Sequence, residues 1–217
     1  MNKNYSHYLI VLLLLTAPFI YLFTFYSSLP DTIPTHFNIK GEADGFGSKS
    51  MAFFGPVFIG IVSLFTYMVM INIKKIDPKR YENNNDEYFK IFGLIIVAFM
   101  SALNMVILTK TKFPNLPIDK LLLPLLGLLF AVMGSFFPKL SQNYYAGFKL
   151  PWTLSSEENW KATHNYAGKF WLYGGILQMI LGFVLPGMWS FISFFVIMIP
   201  MVLAPIVFSY RFFKAWH

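Results

Sequence analysis

The chain has no cysteine and very little charge. The first absence excludes disulfides, thiolate chemistry and cysteine zinc sites. The second separates it from ordinary soluble domains, because charged residues make up 12% of the 217 positions where about 25% is usual. Acids are the scarcer sign, 10 against 17 Lys and Arg. Several signatures of chemistry are missing as well. Ser48 separates Gly47 from Lys49, so the phosphate-loop order fails, and no buried strand precedes it. Asp44-Gly45 lacks the alternating acids and closing Glu of a calcium loop. No paired-histidine spacing of the HExxH kind occurs, and no nucleophile signature accompanies a base.

What the chain has instead is 56% hydrophobic residues and a mean hydropathy of +0.56. They fall into six runs, at 8–26, 51–73, 89–109, 120–138, 167–186 and 189–210. Each is close to the roughly 20 residues that a helix needs to cross a hydrocarbon core. The runs are too long for the strands of a barrel and lack its alternation. The expectation is an all-α membrane protein, a bundle of six transmembrane helices forming a single integral membrane domain over 1–217. The first run exceeds the 7 to 15 apolar residues of a signal peptide and is read as a retained anchor.

With the N-terminus inside, the cytoplasmic segments hold 12 of the 17 basic residues and the outer segments five: Lys40, Lys49, Lys110, Lys112 and Lys120. The positive-inside rule then places both termini in the cytoplasm of a multi-pass protein of the bacterial cell membrane. The bilayer accounts for the basic pI, so direct nucleic-acid binding has no separate support.

Two polar stretches interrupt the apolar runs. The first, Leu29 to Lys49, is a Pro- and Gly-punctuated outer loop. Pro30 and Pro34 fix backbone angles ahead of His36, and Gly41, Gly45 and Gly47 allow turns around Asp44. The loop gathers His36, Asn38, Glu42, Asp44 and Lys49, so donors, acceptors and one group titrating near neutrality are close in sequence. These are the residues expected to bind a ligand, with His36, Asn38, Asp44 and Lys49 foremost. A metal held by His36 with Asp31, Glu42 or Asp44 is the weaker reading, and neither metal nor cofactor is expected. A membrane-embedded enzyme using His36 and Asp44 on a lipid, peptide or cell-wall precursor is the alternative.

The second stretch, Asn143 to Gly168, is expected on the cytoplasmic face. Ser155 followed by Glu158 has the capping-box pattern, so a helix is predicted to start there. Trp160, His164, Ala167 and Trp171 then share one face that runs unbroken into the fifth span, as an interfacial half-helix. For His164 a hydrogen-bonded structural role is favoured. Within the fifth span Gly168, Gly175 and Gly182 recur every seven residues, which predicts close helix contact. Ser101 and Asn104 in the third span are expected to face other helices, and Pro124, Pro200 and Pro205 to bend theirs, while Pro18 lies within the first span.

These two stretches carry a resemblance to the SdpI family of bacterial membrane proteins. The first match runs through Leu29, Pro30, Ile33, Pro34, His36, Phe37, Asn38, Gly41, Asp44, Gly47 and Lys49. The second runs through Asn143, Gly147, Pro151, Trp152, Thr153, Leu154, Trp160, His164 and Gly168. One departure stands out: the family's usual Arg-Thr before Pro-Trp is Lys149-Leu150 here, and lysine lacks the planar fork of arginine. The resemblance implies resistance to a secreted toxin peptide bound on the outer face. It also implies signalling, with a cytoplasmic transcriptional repressor captured at the membrane through the motif of Asn143, Lys149, Trp152, Thr153, Trp160 and His164.

Overall fold

The computed structural model describes residues 5–38, 42–76 and 86–215. Gly41, and the basic residues Lys3, Lys40, Lys79 and Arg80, lie outside the described residues. In chain order the elements are α1 (Ser6–Phe23), a 3-10 turn (Tyr26–Ser28), β1 (Thr32–Phe37), β2 (Ala43–Ser48), a second 3-10 turn (Lys49–Phe53), α2 (Phe54–Ile71) and the short α3 (Ile73–Ile76). There follow α4 (Asp86–Lys112), α5 (Asp119–Phe136), a third 3-10 turn (Phe137–Lys139), α6 (Pro151–Ser155), α7 (Glu157–Val184) and α8 (Gly187–Ala215).

Among the described residues six helices are long and apolar enough to cross a membrane: Ser6–Ser28, Lys49–Ile71, Glu87–Lys112, Asp119–Lys139, Glu157–Val184 and Gly187–Ala215. They coincide with the six apolar runs, except that the fifth starts ten residues before the run at 167. The chain divides into two compact units, Met1–Met70 with Gly93–Leu122, and Ile71–Phe92 with Leu123–His217.

In the first unit a proline creates a need that a neighbouring helix meets. Pro18 has no N–H, so the carbonyl of Leu14 loses its helical donor. The Ser101 hydroxyl of α4 donates to that carbonyl at 2.6 Å. A polar serine that would be costly in an apolar span thereby repairs a gap in another. At the end of α1 that leads into β1, a core forms from Leu22, Phe25, Leu29, Ile33, Ala52 and Leu108, with Tyr21, Tyr26 and Phe53 packed against it. The Tyr21 hydroxyl and the Thr109 hydroxyl share a hydrogen bond of 3.1 Å.

In the second unit glycines set the distance between α5 and α7. A Cβ on Gly168 would lie 2.8 Å from the Gly134 carbonyl oxygen, one on Gly175 would lie 2.6 Å from that of Gly127, and one on Gly182 would lie 2.7 Å from Pro124 Cδ. Gly127 and Gly134 meet the α7 backbone in return, so two glycine stripes of period seven interlock. Only small residues allow backbones this close. Pro205 in α8 repeats the logic of Pro18: it deprives the Met201 carbonyl of its donor, and the Trp171 indole N–H of α7 donates to that carbonyl at 2.8 Å.

The start of α7 differs from the predicted one by a residue. Ser156, not Ser155, is its N-cap, and its side chain accepts from the Asn159 amide at 3.1 Å. Pro151 nucleates α6, which runs through Ser155, and the Ser155 hydroxyl donates back to Trp152 O at 3.2 Å within it. That residue is therefore unavailable to cap the next helix. The face of Trp160, His164 and Ala167 is buried, as its spacing predicts.

Candidate functional site

The outer loop is a β-hairpin. Its strands pair antiparallel with Thr32 opposite Ser48, Ile33 opposite Gly47, Pro34 opposite Phe46, His36 opposite Gly45 and Phe37 opposite Ala43. The register breaks on both sides of His36, the kind of irregularity that re-aims a side chain. Gly45 is required where it stands, since a Cβ there would lie 2.9 Å from His36 Cβ. Ile33 anchors the hairpin by its burial in the core cluster. Phe37 lies against α4, with Lys110 Nζ 4.7 Å from its ring centroid. Lys110 itself is buried and donates to the carbonyl of Leu116 at 2.9 Å, and to that of Pro114.

Polar side chains pair across this hairpin in three steps, each symmetric about position 40. At the base Lys49 Nζ lies 3.6 Å from Asp31 Oδ1, with the lysine also 5.6 Å from the Tyr26 ring centroid. In the middle His36 Nδ1–H donates to Asp44 Oδ1 at 2.5 Å. At the tip Asn38 Nδ2 donates to Glu42 Oε2 at 2.9 Å, while Asn38 Oδ1 accepts from the Glu42 amide at 3.1 Å. His36, Asn38, Asp44 and Lys49 are thus strung along the hairpin rather than gathered at one point, with His36 bonded to Asp44. Asp31 and Glu42 complete the ladder.

The His36–Asp44 pair is accessible, with side chains 72% and 45% exposed. An ionised carboxylate only accepts, so the imidazole carries its proton on Nδ1 and turns Nε2 toward an incoming group. Among the described residues no three of His, Asp and Glu gather where a metal ion would sit.

The second stretch folds into a closed polar knot. Asn143 uses its whole side-chain amide: Nδ2 donates to Ser141 O and Ala146 O, and Oδ1 accepts from the amides of Tyr145 and Ala146. Thr153 accepts from the Leu150 amide at 2.9 Å and donates to Phe148 O at 2.7 Å. Trp160 Nε1 donates to Leu140 O at 2.8 Å. Its ring stacks on His164 with centroids 4.0 Å apart. His164 Nδ1–H donates to Trp160 O at 2.8 Å, and Nε2 accepts from the Phe148 amide at 3.0 Å, so the ring is neutral.

Ser209 of α8 ties the knot to the last helix. It accepts from Trp152 Nε1 at 2.5 Å, and its carbonyl accepts from Asn159 Nδ2 at 3.0 Å. Asn159 in turn accepts from the Thr163 hydroxyl at 2.9 Å. Asn143, Thr153, Trp160 and His164 are buried, Trp152 is half-buried, and Lys149 is exposed, donating to Tyr145 O at 3.2 Å. Of the six motif residues, Lys149 is therefore the one whose charge faces outward. Asn159, Thr163 and Ser209 belong to the same network and carry no motif signal of their own.

An ordered hairpin between the first two spans, a closed polar knot between the fourth and fifth, and six apolar helices define a multi-pass helical protein of the cell membrane. The chain is similar to the SdpI family over part of its length and to an immunity protein over nearly all of it. Residues 139–209, which include the knot, match the SdpI/YfhL protein family, and residues 13–61, which include the hairpin, match a domain of unknown function (DUF1648). Over 214 residues the chain is 22% identical to Immunity protein SdpI of Bacillus subtilis (strain 168), an alignment covering 99% of this chain and 97% of that protein. No solved structure matches the chain.

Proposed function

We propose that the chain is an immunity protein: it gives resistance to a secreted antimicrobial toxin peptide, which it binds on the outer face through the hairpin. The observation that carries this reading is the exposed His36–Asp44 pair, held by a bulged register in a hairpin anchored at both ends. Near-full-length similarity to an immunity protein supports it. His36 and Asp44 offer the principal polar contact, with Asn38 toward the tip and Lys49 at the base. Preordering lowers the entropy lost when a peptide docks.

In this reading residues 1–217 act as one integral membrane domain with both termini in the cytoplasm, in keeping with the distribution of basic residues. The knot then faces the cytoplasm, with the first turns of α7 at the interface. There Lys149 and the surface around it meet a transcriptional repressor, whose capture reports that toxin is bound. Tags inserted in the Ala43 to Ser48 stretch and at Asn83 test the topology: the first is accessible in intact cells and the second protected. Equal response of both tags rejects it.

The rival reading is an enzyme acting on a lipid, peptide or cell-wall precursor. It draws on the same short His36–Asp44 bond, since a carboxylate that orients an imidazole is also how a general base is held. Exposing toxin-sensitive cells, with and without this chain, to the toxin and following survival tests the immunity reading. Turnover of a precursor by the purified chain, lost in His36→Ala while ligand binding persists, marks the enzyme instead.

A further inference from the structure

The outward face of α7 and α8 carries two adjoining grooves that share Pro200. One, of about 390 Å³, runs past Gly174 and Met201 to Lys169. The other, of about 410 Å³, runs past Ala204 and Phe208 to Arg211. Pro200 lines both grooves, and in the first Met201 packs against Gly174, where a Cβ would lie 2.6 Å from the Met201 sulfur. Each groove is apolar along its length and ends in a cation.

The two cations flank the level of one aromatic stack. The rings of Tyr166 and Phe208 stack between the antiparallel helices, with centroids 4.4 Å apart and planes 7° from parallel. Lys169 is one turn beyond Tyr166 on α7, and Arg211 one turn beyond Phe208 on α8, in the opposite direction. Side chains on a helix lean toward its N-terminus. That leans both cations back toward the level of the Tyr166–Phe208 stack. Neither has an ion-pair partner among the described residues. From Gly187 to Phe208 the α8 axis rises about 32 Å, close to the roughly 30 Å of a hydrocarbon core. Both cations therefore stand near the level of lipid phosphates, at the ends of apolar grooves facing lipid tails.

We infer that this face binds an anionic glycerophospholipid, its phosphate on Lys169 and Arg211 beside the Tyr166 hydroxyl and its acyl chains in the two grooves about Pro200. Charge complementarity selects the occupant, since two unpaired cations at the hydrocarbon boundary call for a net negative headgroup.

The test uses the full chain purified in a neutral detergent, with phosphatidylglycerol or phosphatidylcholine of identical acyl chains added as mixed micelles. Thermal unfolding and native mass spectrometry are the readouts. Phosphatidylglycerol raises the melting temperature and remains bound, whereas phosphatidylcholine does neither. The Lys169→Gln/Arg211→Gln double variant weakens phosphatidylglycerol binding about 30-fold, at about 1 kcal/mol for each cation removed. Ala204→Trp fills a groove without changing charge and also weakens it. Equal effects of the two lipids on the unmodified chain overturn the inference, as does an unchanged preference in both variants. A dimer that protects Tyr173 and Leu203 from labelling overturns it too, in favour of a second copy on this face.

Discussion

A Cβ placed on Gly147 would collide with Nε2 of His164. Gly147 has φ +108°, and its amide neighbour Phe148 donates to that same Nε2. The histidine is thus held by a backbone turn that only glycine makes without strain, and the turn is closed by the histidine. Gly147→Ala should add a backbone penalty of about 1–3 kcal/mol to the clash. Gly187 provides the control, since it has φ +36° with open space around its missing Cβ. Thermal unfolding in detergent should show a larger loss for Gly147→Ala than for Gly187→Ala. Equal losses would mean that the knot yields without cost.

The interlocked glycines of α5 and α7 predict a second hierarchy. Gly175→Leu must push away the Gly127 and Ala131 backbones, and overpacking of this sort costs about 1–3 kcal/mol or more. Gly60, where a Cβ would meet nothing within 4 Å, should accept leucine with little loss. Melting temperatures of the two variants decide this, and a stable Gly175→Leu would place that stripe against lipid.

The departure at Leu150 can be repaired. Leu150 is the N-cap of α6 and has no side-chain acceptor, although Thr153 already accepts from its amide. Leu150→Thr supplies a capping hydroxyl and should stabilise the knot by about 0.5–1 kcal/mol. Slower hydrogen exchange at the Trp152 and Thr153 amides would register the gain. Faster exchange would show that the leucine side chain holds the turn by packing.

The six spans and the α7 glycine stripe are legible in the sequence because apolar length and seven-residue spacing are local signals. The same spacing in Gly127 and Gly134 marks their partner stripe. The hairpin reads as a loop because Pro30, Pro34, Gly45 and Gly47 are poor strand formers. Its trace is still present in the polar residues mirrored about position 40. Most of the knot is hidden for another reason. Trp152 and Ser209 are 57 positions apart, and nothing in a one-dimensional pattern announces such a bond. Ser101 and Trp171 serve carbonyls freed by distant prolines, a pairing visible only after the helices have packed.

If the exposed hairpin pair recognises toxin while the buried knot holds the protein together, damage to each should fail differently. His36→Ala/Asp44→Ala alters water-facing side chains, where stability changes are usually within about 0.5 kcal/mol, so the variant should reach the membrane at normal abundance. Trp160→Ala removes a fully buried ring together with its bond to Leu140 and should lower abundance. The decisive experiment is survival of toxin-treated cells at matched membrane abundance of the hairpin double variant and the unmodified chain. Loss of protection in the double variant is the expected result. Full protection by a well-expressed double variant would contradict toxin recognition by the pair and reduce the hairpin to a connector between two spans.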